Sequence, residues 1–179
     1  MARGLLLLFD TYMRVNELIS LKVHHVGDID DPRLPKEFRK MGIRIKNSKT
    51  GINQWVQVEN DFILAVVRDQ VRDANQCGRT NLFDFRASKM CKYFKKIRRL
   101  LEITTPYVPH SARHGGATHD FVLGKSFERI AIQGRWKSSK STRRYLQQGR
   151  SLIFATALPD HVVEYFPYTQ GLLEYCMRR

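Results

Sequence analysis

The sequence predicts an α+β domain, mostly helical, with a small antiparallel β-sheet. Three observations point there. Apolar residues recur at helical spacing in several separate stretches. In one stretch they alternate with polar residues at strand spacing. The chain has 179 residues, of which 42% are hydrophobic, with no repeats and no low-complexity segment, so residues 1–179 read as one domain with a sizeable core.

The first helix is predicted over Leu5 to Lys22, with Leu5, Leu8, Phe9, Tyr12, Val15 and Ile19 on one face. Arg14 and Glu17 share a side of it and can pair. Val23 to Phe38 is rich in Gly, Asp and Pro and reads as an acidic loop turned away from any polyanion, with Asp31 to Arg39 a small insertion. Gly42 to Val58 reads as a hairpin. Ile43 and Ile45 alternate with Arg44 and Lys46, Asn47-Ser48-Lys49-Thr50-Gly51 is turn chemistry, and Trp55-Val56-Gln57-Val58 is the return strand.

Asn60 caps the next helix, with Phe62, Ile63, Val66, Val67 and Val71 as its apolar face. Asn75 to Phe85 is a loop. A helix then runs from Ala87 to Leu101 with Met90, Phe94, Ile97 and Leu101 as a core stripe, and Lys92, Lys95, Lys96, Arg98 and Arg99 mostly off it. Pro106 and Pro109 stiffen the approach to His110. Ser111 to Leu123 is helical although Gly115-Gly116 weakens it, which leaves room for close approach by DNA or by a neighbouring helix. Ser126 caps a helix with Phe127, Ile130 and Ala131 turned inward and Gly134 at its end. Ser141 or Thr142 caps a short helix carrying Tyr145. Beyond it, Leu152-Ile153-Phe154, Val162-Val163 and Tyr165-Phe166-Pro167-Tyr168 are apolar patches of a C-terminal tail, which packs on its own domain or on a neighbour.

Lys and Arg total 31 against 17 Asp and Glu, a formal net charge of +14, which points to a polyanionic partner, with nucleic acid ahead of an acidic membrane surface. Cys77, Cys91 and Cys176 are scattered and unpaired in spacing, which speaks against a disulfide framework or a zinc site and for a reducing, intracellular setting. A nuclear and a bacterial cytoplasmic home look the same at this level. The apolar run after Gly4 stops at Asp10, too short for a membrane span.

The densest chemistry lies between His110 and Tyr145. It reads His110-Ser111-Ala112-Arg113-His114, then Ala117-Thr118-His119, then Gly134-Arg135-Trp136-Lys137 and Arg143-Arg144-Tyr145. This order resembles the tyrosine recombinase (phage integrase) family, whose second box is His-x-x-Arg-His and whose later His or Trp precedes the nucleophilic tyrosine by about nine residues. The family's first box, Arg-x-x-Glu-Leu, matches Arg14-Val15-Asn16-Glu17-Leu18, with Tyr12 where the family usually has glycine.

The resemblance covers about residues 5–150 and implies the recombinase catalytic-domain fold. Residues 151–179 remain as tail or helix, and the family's N-terminal core-binding domain has no counterpart here. The resemblance implies a catalytic set of Arg14, Lys49, His110, Arg113, Trp136 and Tyr145, with Glu17 and His114 supporting and Lys46 the alternative to Lys49. Candidate DNA contacts are Lys46, Lys95, Arg99, Lys137, Arg143 and Arg144.

These residue types suit phosphodiester cleavage. A guanidinium neutralises charge growing on a phosphate and stays protonated, the role of Arg14 and Arg113. Tyr145 attacks, His110 accepts its proton, Trp136 donates one hydrogen bond, and Lys49 protonates the departing 5′ oxygen. A 3′-phosphotyrosyl link conserves the bond energy, so neither metal nor cofactor is expected, and no phosphate-binding loop or paired-carboxylate motif occurs. The implied partner is double-stranded DNA, with tetrameric self-association on it by resemblance. Two alternatives stay open: a DNA-binding remnant of a mobile element that no longer cleaves, and a DNA-relaxing enzyme similar to type IB topoisomerases.

Overall fold

The computed structural model describes residues 1–28, 33, 35, 40–49, 51–146 and 158–177, with backbone alone at 166, 170 and 172–177. The element order is α1 (Ala2–Thr11), α2 (Val15–Ile19), a 3-10 turn (Val23–His25), β1 (Val26–Asp28), β2 (Met41–Ser48), β3 (Gly51–Val58), α3 (Asp61–Gln76), α4 (Ala87–Leu100), α5 (Ser111–Val122), α6 (Phe127–Gly134), α7 (Ser139–Tyr145) and α8 (Asp160–Met177). It is mostly helical with one small antiparallel sheet, as the patterning predicts.

The sheet is ordered β1-β2-β3, with Val26 opposite Ile43, Met41 opposite Val58 and Ser48 opposite Gly51. Met41, Ile43, Ile45, Val56 and Val58 point inward and join Leu7, Leu8, Leu18, Ile63, Val67 and Leu82 in the main core. Asn60 caps α3 by accepting from the main-chain N–H groups of Phe62 and Ile63. A second, smaller core of Tyr12, Ala117 and Ile130, with Trp136 and Tyr145 packed against it, sits between α1, α5, α6 and α7.

Several expectations change. The helix predicted over Leu5 to Lys22 is broken. α1 ends at Tyr12, which takes the left-handed conformation (φ 51°), and the chain restarts at Arg14, whose main-chain N–H donates to Glu17. Helical periodicity continues across the break because both pieces bury apolar residues in the same core, so the sequence does not announce it. The loop predicted from Val23 to Phe38 contains a 3-10 turn and the edge strand β1, because Val26 to Asp28 pair with β2. The insertion at Asp31 to Arg39 and the patch Leu152-Ile153-Phe154 lie largely or wholly outside the described residues.

The stripe predicted to face the core on α4 does so only through Met90 and Phe94. Ile97 and Leu101 are exposed and, among the described residues, take no part in the main core. The cap of α7 is Ser138, not Ser141 or Thr142: the Ser138 hydroxyl accepts from the Ser141 N–H at 3.2 Å, and both predicted caps lie within the helix. The double glycine serves helix packing. A Cβ on Gly116 would lie 1.9 Å from the Phe9 carbonyl oxygen, so only glycine lets α1 and α5 meet this closely. This contact carries Tyr12 and Arg14 to the base of α5.

Candidate active site

Arg14, His110, Trp136 and Tyr145 line two hollows that share Arg14, while Arg113, three residues on from His110, is buried against the Trp136 and Tyr145 rings. One hollow of about 440 Å³ is lined by Arg14, Glu17, Ser48, Lys49 and His110 among others. Another of about 580 Å³, sharing Arg14, is lined by His114, Trp136, Lys137, Ser141, Arg144 and Tyr145.

Arg113 is wholly buried. Its Nη1 donates to the Tyr12 carbonyl and its Nη2 to the Gly134 carbonyl at 2.7 Å. The bend at Tyr12 and the end of α6 thus each offer a free main-chain acceptor to one guanidinium. Burial, then the positive charges of Arg14 and Arg135, pull its pKa down to about 10, against the opposing pull of Tyr145 and Glu17. It remains protonated at neutral pH.

Tyr145 sits in a stack of rings. His114 lies 4.2 Å from it at 23° and Trp136 lies 4.5 Å from it at 26°. The Arg113 guanidinium carbon is 5.2 Å from its centroid, and His110 approaches edge-on at 6.0 Å. α7 is held in place by the Thr118 hydroxyl, which donates to the Tyr145 carbonyl at 3.0 Å. Gly134 makes the stack feasible, since a Cβ there would lie 2.3 Å from the Trp136 ring. The Trp136 indole N–H is buried with no hydrogen-bond partner among the described residues. A buried donor left open in this way is costly.

His110 opens α5 but makes no side-chain cap, so the ordinary capping role is not what holds it. Burial, then Arg113 and Arg14, keep its pKa below the usual imidazole value. It is therefore neutral near pH 7 and able to accept a proton.

Glu17 is the hub of the basic side. It accepts from the Arg14 guanidinium (2.7 Å), the Arg14 N–H (2.9 Å), the Ser48 hydroxyl (2.7 Å) and Arg135 Nη2 (2.6 Å). Burial would raise its pKa, but Arg135 and these hydrogen bonds outweigh it and hold the carboxyl below its usual range. Ser48 ties the hub to the β2–β3 hairpin, on whose exposed tip Lys49 sits. Arg135 was not a sequence candidate. It is buried, left-handed (φ 54°) and paired with a residue 118 positions away, and only its place in Gly134-Arg135-Trp136 hinted at it.

Of the proposed phosphate contacts, Lys137 and Arg144 line the Tyr145 hollow, and Lys46 is exposed on the hairpin near Lys49. Arg143 is exposed on α7 but does not line that hollow. Lys95 and Arg99 line a separate hollow on α4 with Lys92 and Lys96, so the site does not draw them in. No cluster of three His, Cys, Asp or Glu side chains suited to a metal occurs among the described residues. No helix among them is long and apolar enough to cross a membrane.

Residues 2–151 match the phage integrase family, and this chain belongs to that family. Solved structures share the fold at low identity. XerA recombinase superposes with a TM-score of 0.63 at 18% identity, over 92% of this chain and 55% of its own. XerH site-specific recombinase, in a post-cleavage complex with a palindromic difH substrate, gives 0.61 at 16% over 87% of this chain and 44% of its own. The Tn1549 transposon integrase with transposon right end DNA gives 0.59 at 14% over 84% and 57%. The chain thus spans about half the length of these neighbours. No curated protein matches it by sequence.

Proposed function

We propose that this protein is a site-specific tyrosine recombinase that cleaves and rejoins DNA strands through a 3′-phosphotyrosyl intermediate. One observation carries the reading. Tyr145 is stacked between His114 and Trp136, beside the buried Arg113, in a hollow that shares Arg14 with a second hollow lined by His110 and the tip lysine Lys49.

In this mechanism the scissile phosphate lies over the cleft with its non-bridging oxygens toward Arg14, and the buried Arg113 guanidinium, against the Tyr145 and Trp136 rings, adds fixed positive charge beside it. The Tyr145 oxygen attacks phosphorus while its proton passes to His110. The P–O5′ bond breaks, and Lys49 gives its proton to the departing 5′ oxygen. Arg135 and Glu17 hold Arg14 in register, and fixed charges aimed at growing charge lower the barrier without reorganising. Lys46, Lys137, Arg143 and Arg144 bind flanking phosphates, with Lys95 and Arg99 further along the duplex. Self-association on DNA fits α8, where Val163, Tyr165 and Tyr168 are exposed apolar or aromatic residues available to a second copy.

The test is covalent trapping on a pool of nicked duplexes that lose a short 5′-hydroxyl fragment after cleavage. A protein–DNA band in the parent, missing in Tyr145→Phe and Arg113→Ala, is the expected result. DNA retention without a band would instead indicate a binding module that does not cleave. Relaxation of supercoiled plasmid without a preferred site would indicate topoisomerase-like chemistry.

A further inference from the structure

Tyr12 is wholly buried and adopts φ 51°, a conformation that glycine takes without strain and a side chain does not. The turn alone therefore does not call for tyrosine. The side chain instead makes two specific arrangements. Its ring lies 6.0 Å from Trp136 at 12°, which extends the Trp136–Tyr145–His114 stack by a fourth ring. Its hydroxyl donates to Asp120 at 2.5 Å, and Lys125 holds the same carboxylate oxygen at 2.9 Å. Lys125 also reaches Gln133 at 2.6 Å, so the anchor joins α5 to the α6 that leads into Trp136. The same left-handed bend presents the Tyr12 carbonyl to Arg113.

We propose that Tyr12 is a positioning residue for strand cleavage: its ring braces Trp136 and, through it, the Tyr145 ring, while its carbonyl holds the Arg113 guanidinium beside that ring. The proposal rests on the recombinase reading above. Misplacing reacting groups by about an ångström is enough to slow an aligned reaction about 100-fold.

Three variants separate the ring from mere bulk. Tyr12→Gly keeps the bend and the carbonyl but removes the ring. Tyr12→Leu keeps buried apolar volume without a planar face. Tyr12→Phe keeps the ring and loses only the hydroxyl. Single-turnover cleavage of a nicked duplex falls by about 100-fold in the Gly and Leu variants, DNA affinity stays near the parent value, and Phe recovers most of the rate.

A second readout does not depend on cleavage. The chain has two tryptophans, so Trp55→Phe leaves Trp136 as the sole emitter. In that background Tyr12→Leu makes Trp136 more accessible to acrylamide and shifts its emission to the red, while Tyr12→Phe does not. Cleavage at the parent rate in Gly and Leu, a rate loss matched by an equal loss of DNA affinity, or unchanged quenching of Trp136 would each overturn the proposal. A parent protein that forms no adduct would sink the recombinase reading alone, and the quenching comparison would still decide whether Tyr12 braces Trp136.

Discussion

Arg113 and Lys49 stand on either side of Arg14 under opposite conditions. Arg113 is wholly buried, fixed by two main-chain carbonyls and flanked by the Trp136–Tyr145 stack. Lys49 stands exposed at the tip of a hairpin, with only its neighbour Ser48 bound into the Glu17 hub. The first wall is built during folding, so its parts serve stability whatever else they do. The second stands in solvent, with few contacts to lose. Damage to the Arg113 wall should therefore cost stability, and damage to the Lys49 wall should cost activity alone.

The strongest challenge to that contrast is Glu17→Ala. It removes the buried carboxylate shared by Arg14 and Arg135 and leaves Arg135 uncompensated, which should destabilise by about 3–5 kcal/mol in chemical denaturation. A loss near zero would mean that the basic wall is held by packing rather than by this hub.

Lys49→Ala tests the other wall. Its stability should stay within about 0.5 kcal/mol of the parent, while cleavage slows by about 10²–10⁴-fold. A duplex with a 5′-bridging sulfur needs no proton on its leaving group and should restore most of that rate. Failure to rescue would remove Lys49 from the acid role and turn attention to Lys46.

Gly134→Ala is intermediate. The added methyl collides with Trp136, so stability should drop by about 1–3 kcal/mol, with slower cleavage and a changed Trp136 emission. An alanine variant that matches the parent would show that the indole moves freely.

Two pH effects are smaller. Asp10 is partly buried, and burial, followed by the charge of Asp120, raises its pKa to about 7. A carboxyl with a raised folded pKa favours the folded state most below its unfolded value near 3.8, and that contribution is lost as pH rises through about 7. Asp10→Asn should therefore gain about 1–2 kcal/mol over the parent at pH 8 and little at pH 5, read from thermal midpoints at each pH. His110, lowered by burial and by Arg113 and Arg14, should give cleavage an acid limb below the usual imidazole pKa. The kcat/KM profile of His110→Gln should lack that limb. A limb unchanged in that variant would assign the base elsewhere.

Much of the fold was legible because it follows from local pattern. The hairpin came from alternation and turn chemistry, the α3 cap from Asn60, and the helical carriers of Arg113 and Tyr145 from spacing. The break at Tyr12 was not legible. It depends on Arg113 and Asp120, about 100 residues away, and the periodicity on either side of it stays helical. The exposed end of α4 was misread for a related reason. An apolar stripe shows what a helix could bury, and only the positions of its neighbours decide what it does bury.

By itself, the sequence determined the types of most elements, the strong positive charge and the order of the site residues along the chain. These rest on short-range sterics, hydrophobic periodicity and side-chain chemistry, which each segment carries alone. Tertiary structure decided that Arg135 joins Arg14 on Glu17, that Tyr145 is sandwiched between His114 and Trp136, and that Lys95 and Arg99 lie apart. Those outcomes depend on glycine-permitted contacts at Gly116 and Gly134 and on buried polar groups finding partners far along the chain. Neither condition has a signature at the residues concerned until the helices have packed.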